Sequence, residues 1–187
     1  MVLAVGALVL AACASGSTSA ESPRTDPSAA LTNQDVEVDA RGEVDPSEGC
    51  GVAPDVVPVG DESPGDVELE FASADGPRVY RLGVPEGYDP DAATPLVVNL
   101  HGSGSDAKQA STYGDVPRAA SERGVMTVAP QARDRNWELR SNGADDVFLV
   151  DLVDDLERRY CIDRNRIHLL GMSLGAWKAA VTACAHP

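Results

Sequence analysis

The chain has 187 residues, which is enough for one domain and an additional segment. Its formal net charge of −15 and the lack of any basic stretch argue against nucleic acid as a partner. Aromatic residues make up only 4% of the chain, which is low for a protein that binds sugars or bases by stacking.

The first twelve residues are apolar or small and are followed by Cys13. They are too few to span a bilayer as a helix, which needs about 20 residues. The stretch predicts the apolar core of a secretory signal, and the missing Lys or Arg before it indicates that the true start lies upstream of Met1. Leu10-Ala11-Ala12-Cys13 resembles the lipobox of bacterial lipoproteins. We therefore expect an exported protein with a lipoprotein-type signal at 1–13, held at the outer face of the cell membrane by a lipid on Cys13; an ordinary secretory signal is the alternative.

Residues 14–66 are rich in Ser, Thr, Pro and acidic side chains and have few large apolar ones. Such a segment cannot bury enough apolar surface to offset the entropy lost on ordering. We expect a flexible, acidic linker, with ordered structure beginning near Gly49-Cys50-Gly51 and a partial catalytic domain over 67–187.

From Val67 onward the pattern changes to alternating strands and helices. Two half-polar segments, 67–71 and 79–84, predict an antiparallel pair of strands joined by a turn at 74–77. The later apolar runs and helical periodicities predict strands at 96–100, 125–129 and 166–170 and helices at 115–123, 145–160 and after the last strand. Short buried strands that alternate with helices indicate an α/β fold, with a parallel sheet covered on both faces.

The segment Gly171-Met172-Ser173-Leu174-Gly175 has the form Gly-x-Ser-x-Gly and lies between a predicted strand and a predicted helix. This is the arrangement of the nucleophile elbow of α/β-hydrolases, in which a sharp turn holds the serine at its apex. Gly171 and Gly175 let strand and helix pass closely without Cβ clashes, while the serine adopts a strained backbone. The pattern predicts that Ser173 is the nucleophile of an acyl-transfer reaction.

A second glycine-rich segment, His101-Gly102-Ser103-Gly104, follows the third predicted strand. In α/β-hydrolases a backbone amide from this loop and the amide after the nucleophile form the oxyanion hole. The expected donors are the backbone N–H groups of Leu174 and of Ser103 or Gly102. They would stabilise the negative charge that develops on the carbonyl oxygen in the transition state.

Residues 79–187 resemble the secreted polyhydroxybutyrate depolymerase-like and feruloyl esterase-like α/β-hydrolases. Besides the elbow, the matching stretches are Tyr80-Arg81-Leu82-Gly83-Val84-Pro85-Glu86-Gly87-Tyr88, Leu100-His101-Gly102, Asp145-Asp146-Val147-Phe148, Tyr160-Cys161-Ile162-Asp163 and the ending Ala183-Cys184-Ala185-His186-Pro187. They cover about the first half of such a domain. The resemblance implies a serine esterase acting on a small-molecule or polymeric carboxylic ester through an acyl-enzyme on Ser173, without metal or organic cofactor; it does not identify the ester.

A serine nucleophile needs a general base and an acid that orients the base. In this fold they follow the serine in the order Asp or Glu, then His. The three histidines lie in the oxyanion loop (His101), within a strand (His168) and at the end of the last helix (His186), and none is at the expected place.

We therefore expect an α/β-hydrolase fold truncated after the elbow helix, with two triad members missing and the chain inactive as it stands. Residues 167–170 would then form an exposed apolar strand edge that favours aggregation. A serine peptidase of the same fold and a non-catalytic surface lipoprotein with a hydrolase-like fold are the alternatives. The sequence leaves the oligomeric state open.

Cysteines in an exported chain indicate disulfides. Cys161 precedes the elbow strand and Cys184 closes the helix that follows, so both are expected at the same end of the sheet. We favour a Cys161–Cys184 disulfide, with Cys50–Cys161 as the alternative. The cysteine spacing does not match a metal-binding motif, so we expect no metal.

Carboxylate binding is one interpretation of four basic side chains. We expect them instead to be solvated surface charges; they are Lys178, Arg133, Arg135 and Arg140. The loop 131–144, with Trp137, is a candidate for the rim of the substrate site.

Overall fold

The computed structural model describes residues 43–54 and 66–187. The predicted signal and lipidation site at 1–13 lie outside the described residues, as does most of the predicted linker. No helix in these two described ranges is both long enough and apolar enough to cross a membrane.

Five strands form one sheet in the order β1-β2-β4-β3-β5. Their bounds are β1 Asp66–Ser73, β2 Gly76–Gly83, β3 Thr94–Leu100, β4 Met126–Pro130 and β5 Ile162–Gly171. The predicted antiparallel pair is confirmed, because β1 and β2 form a hairpin in which Ser73 pairs with Gly76. Strands β4, β3 and β5 are parallel, as predicted. The sheet as a whole is mixed, because β2 joins β4 in the antiparallel direction.

Among the described residues, four α-helices accompany the sheet: α1 Ala107–Thr112, α2 Val116–Ser121, α3 Ala144–Arg159 and α4 Leu174–Ala185. The predictions of α2, α3 and α4 are confirmed, with α2 shorter than expected. Helix α1 was not predicted, because it has one turn and a half of mostly polar sequence without apolar periodicity. Its one local signal is Asp106, whose side chain accepts a hydrogen bond from the backbone N–H of Gln109 as an N-cap.

The hydrophobic core lies between the central strands and α3. The side chains at its centre are completely buried: Leu82, Leu96 and Val128 on the strands, and Leu152 and Leu156 on the helix. Burying a side chain of this size contributes about 1.5–3 kcal/mol relative to leaving it exposed. The core therefore holds rigid the strands β3 and β4 and the helix α3, whose ends carry the loops of the site.

Residues 43–54, which we call the strap, pack against the connection between α3 and β5. Ser47 donates its hydroxyl to the Tyr160 carbonyl (2.7 Å) and accepts the Ile162 N–H on the same oxygen (2.9 Å). Gly49 lies so close that a Cβ there would sit 2.4 Å from the Tyr160 carbonyl oxygen. The strap is thus fitted to the domain.

The favoured Cys161–Cys184 disulfide is wrong, and the alternative is confirmed: Cys161 is bonded to Cys50. The strap brings the two residues together, with their Cα atoms 4.0 Å apart. The order of elements around Cys161 could not reveal this, because Cys50 arrives from a part of the chain 111 residues away.

Candidate active site

The elbow has the strained backbone that its sequence predicts. Strand β5 ends at Gly171 and helix α4 begins at Leu174, and between them Ser173 has φ 53° and ψ −117°. Such a conformation costs about 1–3 kcal/mol for a residue with a side chain, so it persists only where the surroundings impose it. Ser173 is exposed at this apex.

The two elbow glycines are required by close backbone contacts. A Cβ on Gly171 would lie 2.4 Å from the carbonyl carbon of Gly175, and a Cβ on Gly175 would lie 2.2 Å from the carbonyl oxygen of Leu100. Helix α4 therefore crosses the end of β3 with no room for a side chain. This close crossing forces the sharp turn at Ser173.

The loop after β3 lies directly beside the serine. The Met172 N–H donates to the Leu100 carbonyl (3.1 Å), and a Cβ on Gly102 would be 3.7 Å from the Ser173 Cβ. Three backbone N–H groups around Ser173 have no acceptor among the described residues: those of Gly102, Ser103 and Leu174. The Leu174 N–H is also one of the unpaired donors at the N-terminus of α4, where the helix dipole favours negative charge.

His101 is buried and holds the start of this loop. Its Nε2 accepts the Ala132 N–H (3.0 Å), so Nδ1 carries the proton and donates to the Gly102 carbonyl (2.8 Å). Burial lowers the pKa of His101, which keeps the ring neutral and its Nε2 able to accept.

Trp137 is 4% exposed and donates its indole N–H to the His101 carbonyl (2.8 Å). Its ring also contacts that of His101, with the ring centroids 5.0 Å apart. The interpretation of Trp137 as part of a substrate rim is therefore wrong. Its indole has to be buried to reach the carbonyl of a residue in the oxyanion loop.

The other two histidines lie away from Ser173. His168 is exposed on β5, three residues before the strand ends and therefore about 10 Å along it. His186 follows the twelve residues of α4, about 18 Å along the helix axis, and its Nε2 lies 3.0 Å from the Asp146 carboxylate.

Asp146, at the start of α3, is the centre of a buried polar cluster that the sequence analysis missed. Its carboxylate accepts from the Lys178 ammonium (2.8 Å), the Thr182 hydroxyl (2.6 Å) and the Asn142 N–H (2.8 Å). Burial alone would raise the pKa of Asp146, but these hydrogen bonds and that of His186 hold it well below its usual range. The available signal was the four-residue spacing of Lys178, Thr182 and His186, which puts them on one helix face.

The interpretation of Lys178 as a surface charge is wrong, because its side chain is 0% exposed against Asp146. Helix α4 turns that face toward α3, which its weak apolar pattern did not indicate. The three arginines are at the surface, as expected: Arg133 pairs with Asp75, Arg135 with Asp106 and Arg140 with Glu138. In the described part of the chain, no group of three or more His, Cys, Asp or Glu side chains could hold a metal ion.

The relatives of this chain are esterases. It is 33% identical over 116 residues to a probable feruloyl esterase C of Aspergillus terreus and 26% identical over 113 residues to feruloyl esterase C of Emericella nidulans. Each alignment covers 58% of this chain and 42% of the relative, so the chain spans less than half the length of these proteins. The resemblance to feruloyl esterases is confirmed; the polyhydroxybutyrate depolymerase part of it stays a prediction. No family model matches.

Solved structures agree on the fold. The chain superposes on an acetyl xylan esterase from Aspergillus awamori with a TM-score of 0.57, at 14% identity, over 65% of this chain and 48% of that one. At this identity the match concerns the fold alone. The chain contains part of an α/β-hydrolase fold.

Proposed function

We propose that this chain, related to feruloyl esterases and built on part of an α/β-hydrolase fold, belongs to a serine esterase that hydrolyses carboxylic esters through an acyl-enzyme on Ser173. One observation carries the proposal. The exposed Ser173 has a strained backbone and lies beside backbone N–H groups of two different segments that have no acceptor of their own. A turn with only a structural role has no need of this combination.

In the proposed reaction the Ser173 hydroxyl attacks the ester carbonyl and gives its proton to the general base, which later passes it to the departing alcohol. The carbonyl oxygen becomes negatively charged and accepts hydrogen bonds from the N–H groups of Leu174 and Ser103. Both donors are held by the backbone before the reaction begins, so no energy is spent on turning them. Loss of one such donor costs about 100- to 1,000-fold in rate. Collapse of the intermediate expels the alcohol, and water then releases the acid from the serine.

The general base is the part of the machinery that the described residues do not supply at Ser173. His101 is occupied at both ring nitrogens, and His186 is about a helix length away. We propose that the base and its orienting acid come from outside these 187 residues, and that the 187-residue chain alone does not turn over esters. The proposed substrates are carboxylic esters of the polyhydroxyalkanoate, feruloyl or acetyl type.

Export and a lipid anchor on Cys13 are part of the same proposal. The disulfide between Cys50 and Cys161 supports export, because disulfides persist mainly in oxidising compartments. The anchor rests on the Leu10-Ala11-Ala12-Cys13 pattern alone.

The test is turnover of p-nitrophenyl acetate and butyrate by the 187-residue chain, by the longer product of the same reading frame, and by the Ser173→Ala variant of that product. We expect only the longer wild-type protein to be active, with Ser173→Ala lowering kcat at least about 1,000-fold. Ser121→Ala is the matched control, because Ser121 ends α2 at the opposite end of the sheet from the elbow and should leave kcat unchanged.

Two results would contradict the proposal in different ways. If the short chain is active and Ser173→Ala abolishes that activity, the base lies within these 187 residues. If the longer product is inactive, the alternative of a non-catalytic lipoprotein with a hydrolase fold gains support.

A further inference from the structure

Two loops lie side by side next to Ser173. The first, residues 101–107, follows β3 and carries the Ser103 N–H. The second, residues 131–137, follows β4, and we call it the template loop. Because β3 and β4 are parallel neighbours, both loops leave the sheet at the carboxyl ends of the strands and therefore on the same side.

The template loop holds both ends of the first loop. At the start, His101 accepts the Ala132 N–H at Nε2 (3.0 Å) and the Trp137 indole N–H at its carbonyl (2.8 Å). At the end, the Ala107 N–H donates to the side-chain oxygen of Gln131 (2.8 Å). The first loop is therefore attached at the points where it leaves β3 and enters α1.

The middle of the first loop is held by Arg135 and Asn136. The Gly104 N–H donates to the Arg135 carbonyl (2.8 Å), and the Arg135 guanidinium donates back to the Ser105 carbonyl (3.0 Å). The Ser103 hydroxyl donates to the side-chain oxygen of Asn136 (2.6 Å). Ser103, the proposed oxyanion donor, is thus held by its own side chain and by the amide of the next residue.

The template loop reaches these positions through two residues with left-handed backbone conformation. Asp134 and Arg135 are consecutive residues in the left-handed region, with φ of 52° and 61°. Residues with side chains adopt this region rarely and at a cost. The Asn136 amide nitrogen donates to the Asp134 carbonyl (3.0 Å) and so stabilises this turn. One end of the Asn136 amide thus supports the template loop and the other end holds Ser103.

We infer that Asn136 is a positioning residue for the oxyanion hole, acting through Ser103 and through the left-handed turn that directs the Arg135 carbonyl to Gly104. The inference rests on the proposed function, because it assigns the Ser103 N–H to the oxyanion. An oxyanion hole works only if its donors are fixed in advance. Loosening Ser103 should therefore raise the transition-state barrier and leave ground-state ester binding almost unchanged.

The kinetic test is the Asn136→Ala variant of the longer, active product. We expect kcat to fall about 10- to 100-fold, since displacement of a catalytic group by about 1 Å has an effect of this size. KM should change less than about threefold, as for an interaction made mainly in the transition state. Asn165→Ala is the matched control, because Asn165 bonds to the Glu43 carbonyl near the start of β5 and should not affect kcat.

Ser103→Ala removes the same hydrogen bond by a smaller change and keeps the test valid if Asn136→Ala fails to fold. It should lower kcat in the same direction. In the double variant the two effects on kcat should not add, because each substitution removes the same hydrogen bond between Ser103 and Asn136. Unchanged kcat in the variants of an active protein would overturn the inference, and so would fully additive effects.

A second measurement does not depend on activity. In the 187-residue chain, Asn136→Ala should accelerate hydrogen exchange of the Gly104 amide at least about tenfold, because local opening exposes that N–H. The Gly175 amide, which donates to the Met172 carbonyl in the elbow, should keep its rate. If the longer wild type is inactive, the proposed function fails by itself. An unchanged Gly104 exchange rate would overturn the inference whether or not the protein is an esterase.

Discussion

At the scale of single residues, the site depends on two glycines, Gly171 and Gly175, and on the buried imidazole of His101. Gly171 and Gly175 allow a backbone crossing in which a Cβ would lie 2.2–2.4 Å from main-chain atoms. His101 contributes as a neutral ring, which accepts one hydrogen bond and donates another. The exposed serine and the loop beside it are therefore held in place by these internal contacts.

Gly175→Ala should destabilise the fold and distort the elbow, because the atoms that the new methyl group meets are backbone atoms and cannot rotate away. We expect a loss of about 3 kcal/mol or more in the free energy of unfolding, measured by urea denaturation followed by circular dichroism. Gly87→Ala is the control, because a Cβ there meets nothing within 4 Å and only the positive φ of 78° opposes it. Equal losses in both variants would show that the crossing tolerates a side chain.

At the scale of elements, α4 is held by its N-terminal crossing over β3 and by its buried contact with α3. Lys178 and Asp146 are both fully buried and lie 2.8 Å apart. Breaking such a pair leaves a charge without a partner in a medium that solvates it poorly. The pair therefore anchors α4 to the first turn of α3 and, through the rigid helix, contributes to the position of Ser173.

Lys178→Met keeps the length of the side chain and removes its charge. We expect the free energy of unfolding to fall by about 3–5 kcal/mol, because the Asp146 carboxylate then lacks its buried counter-charge and keeps only its other hydrogen bonds. Arg140→Met is the control: its ion pair with Glu138 is exposed, with the arginine side chain 72% accessible, and such pairs contribute about 0–1 kcal/mol. Denaturant titration of both variants makes the comparison. A Lys178→Met loss no larger than that of the control would contradict this account of α4.

At the scale of the whole molecule, the strap and its disulfide close a long loop. Cys50 and Cys161 are 111 residues apart, and between them lie four of the five strands and three of the helices. A crosslink across such a span lowers the entropy of the unfolded chain. It thus stabilises the domain together with the hydrogen bonds between the strap and β5, such as those from Ser47 N–H to the Ile162 carbonyl and from Arg164 N–H to the Asp45 carbonyl.

Cys50→Ala and Cys161→Ala should each lower the free energy of unfolding by up to about 4–5 kcal/mol, the chain-entropy value for a loop of roughly this length. The two losses should be similar and should not add in the double variant, because either change removes the same bond. Thermal unfolding of the three variants measures this, and non-reducing peptide mapping of the wild type should recover Cys50 linked to Cys161. A peptide that joins Cys161 to Cys184 would contradict the pairing.

The sequence by itself determined the five strands, the helices α2, α3 and α4, and the local part of the site, but not the short helix α1. Apolar alternation marked the strands, and the spacing of Gly171, Ser173 and Gly175 between a strand and a helix predicted the strained turn. These signals are local, because the backbone conformation of a strand, a helix or a tight turn depends on neighbouring residues. The loop at His101 was found for the same reason, by its position at the end of a strand.

Only the tertiary structure decided which distant residues meet. Trp137 binds the His101 carbonyl across 36 residues, Lys178 pairs with Asp146 across 32, and Cys50 bonds to Cys161 across 111. The contacts of Asn136 with Ser103 belong to the same group. Each of these side chains is polar or amphipathic, so its sequence neighbours fit a surface position as well as a buried one. Its partner is fixed by how β3, β4, α3 and α4 pack, and no local pattern carries that information.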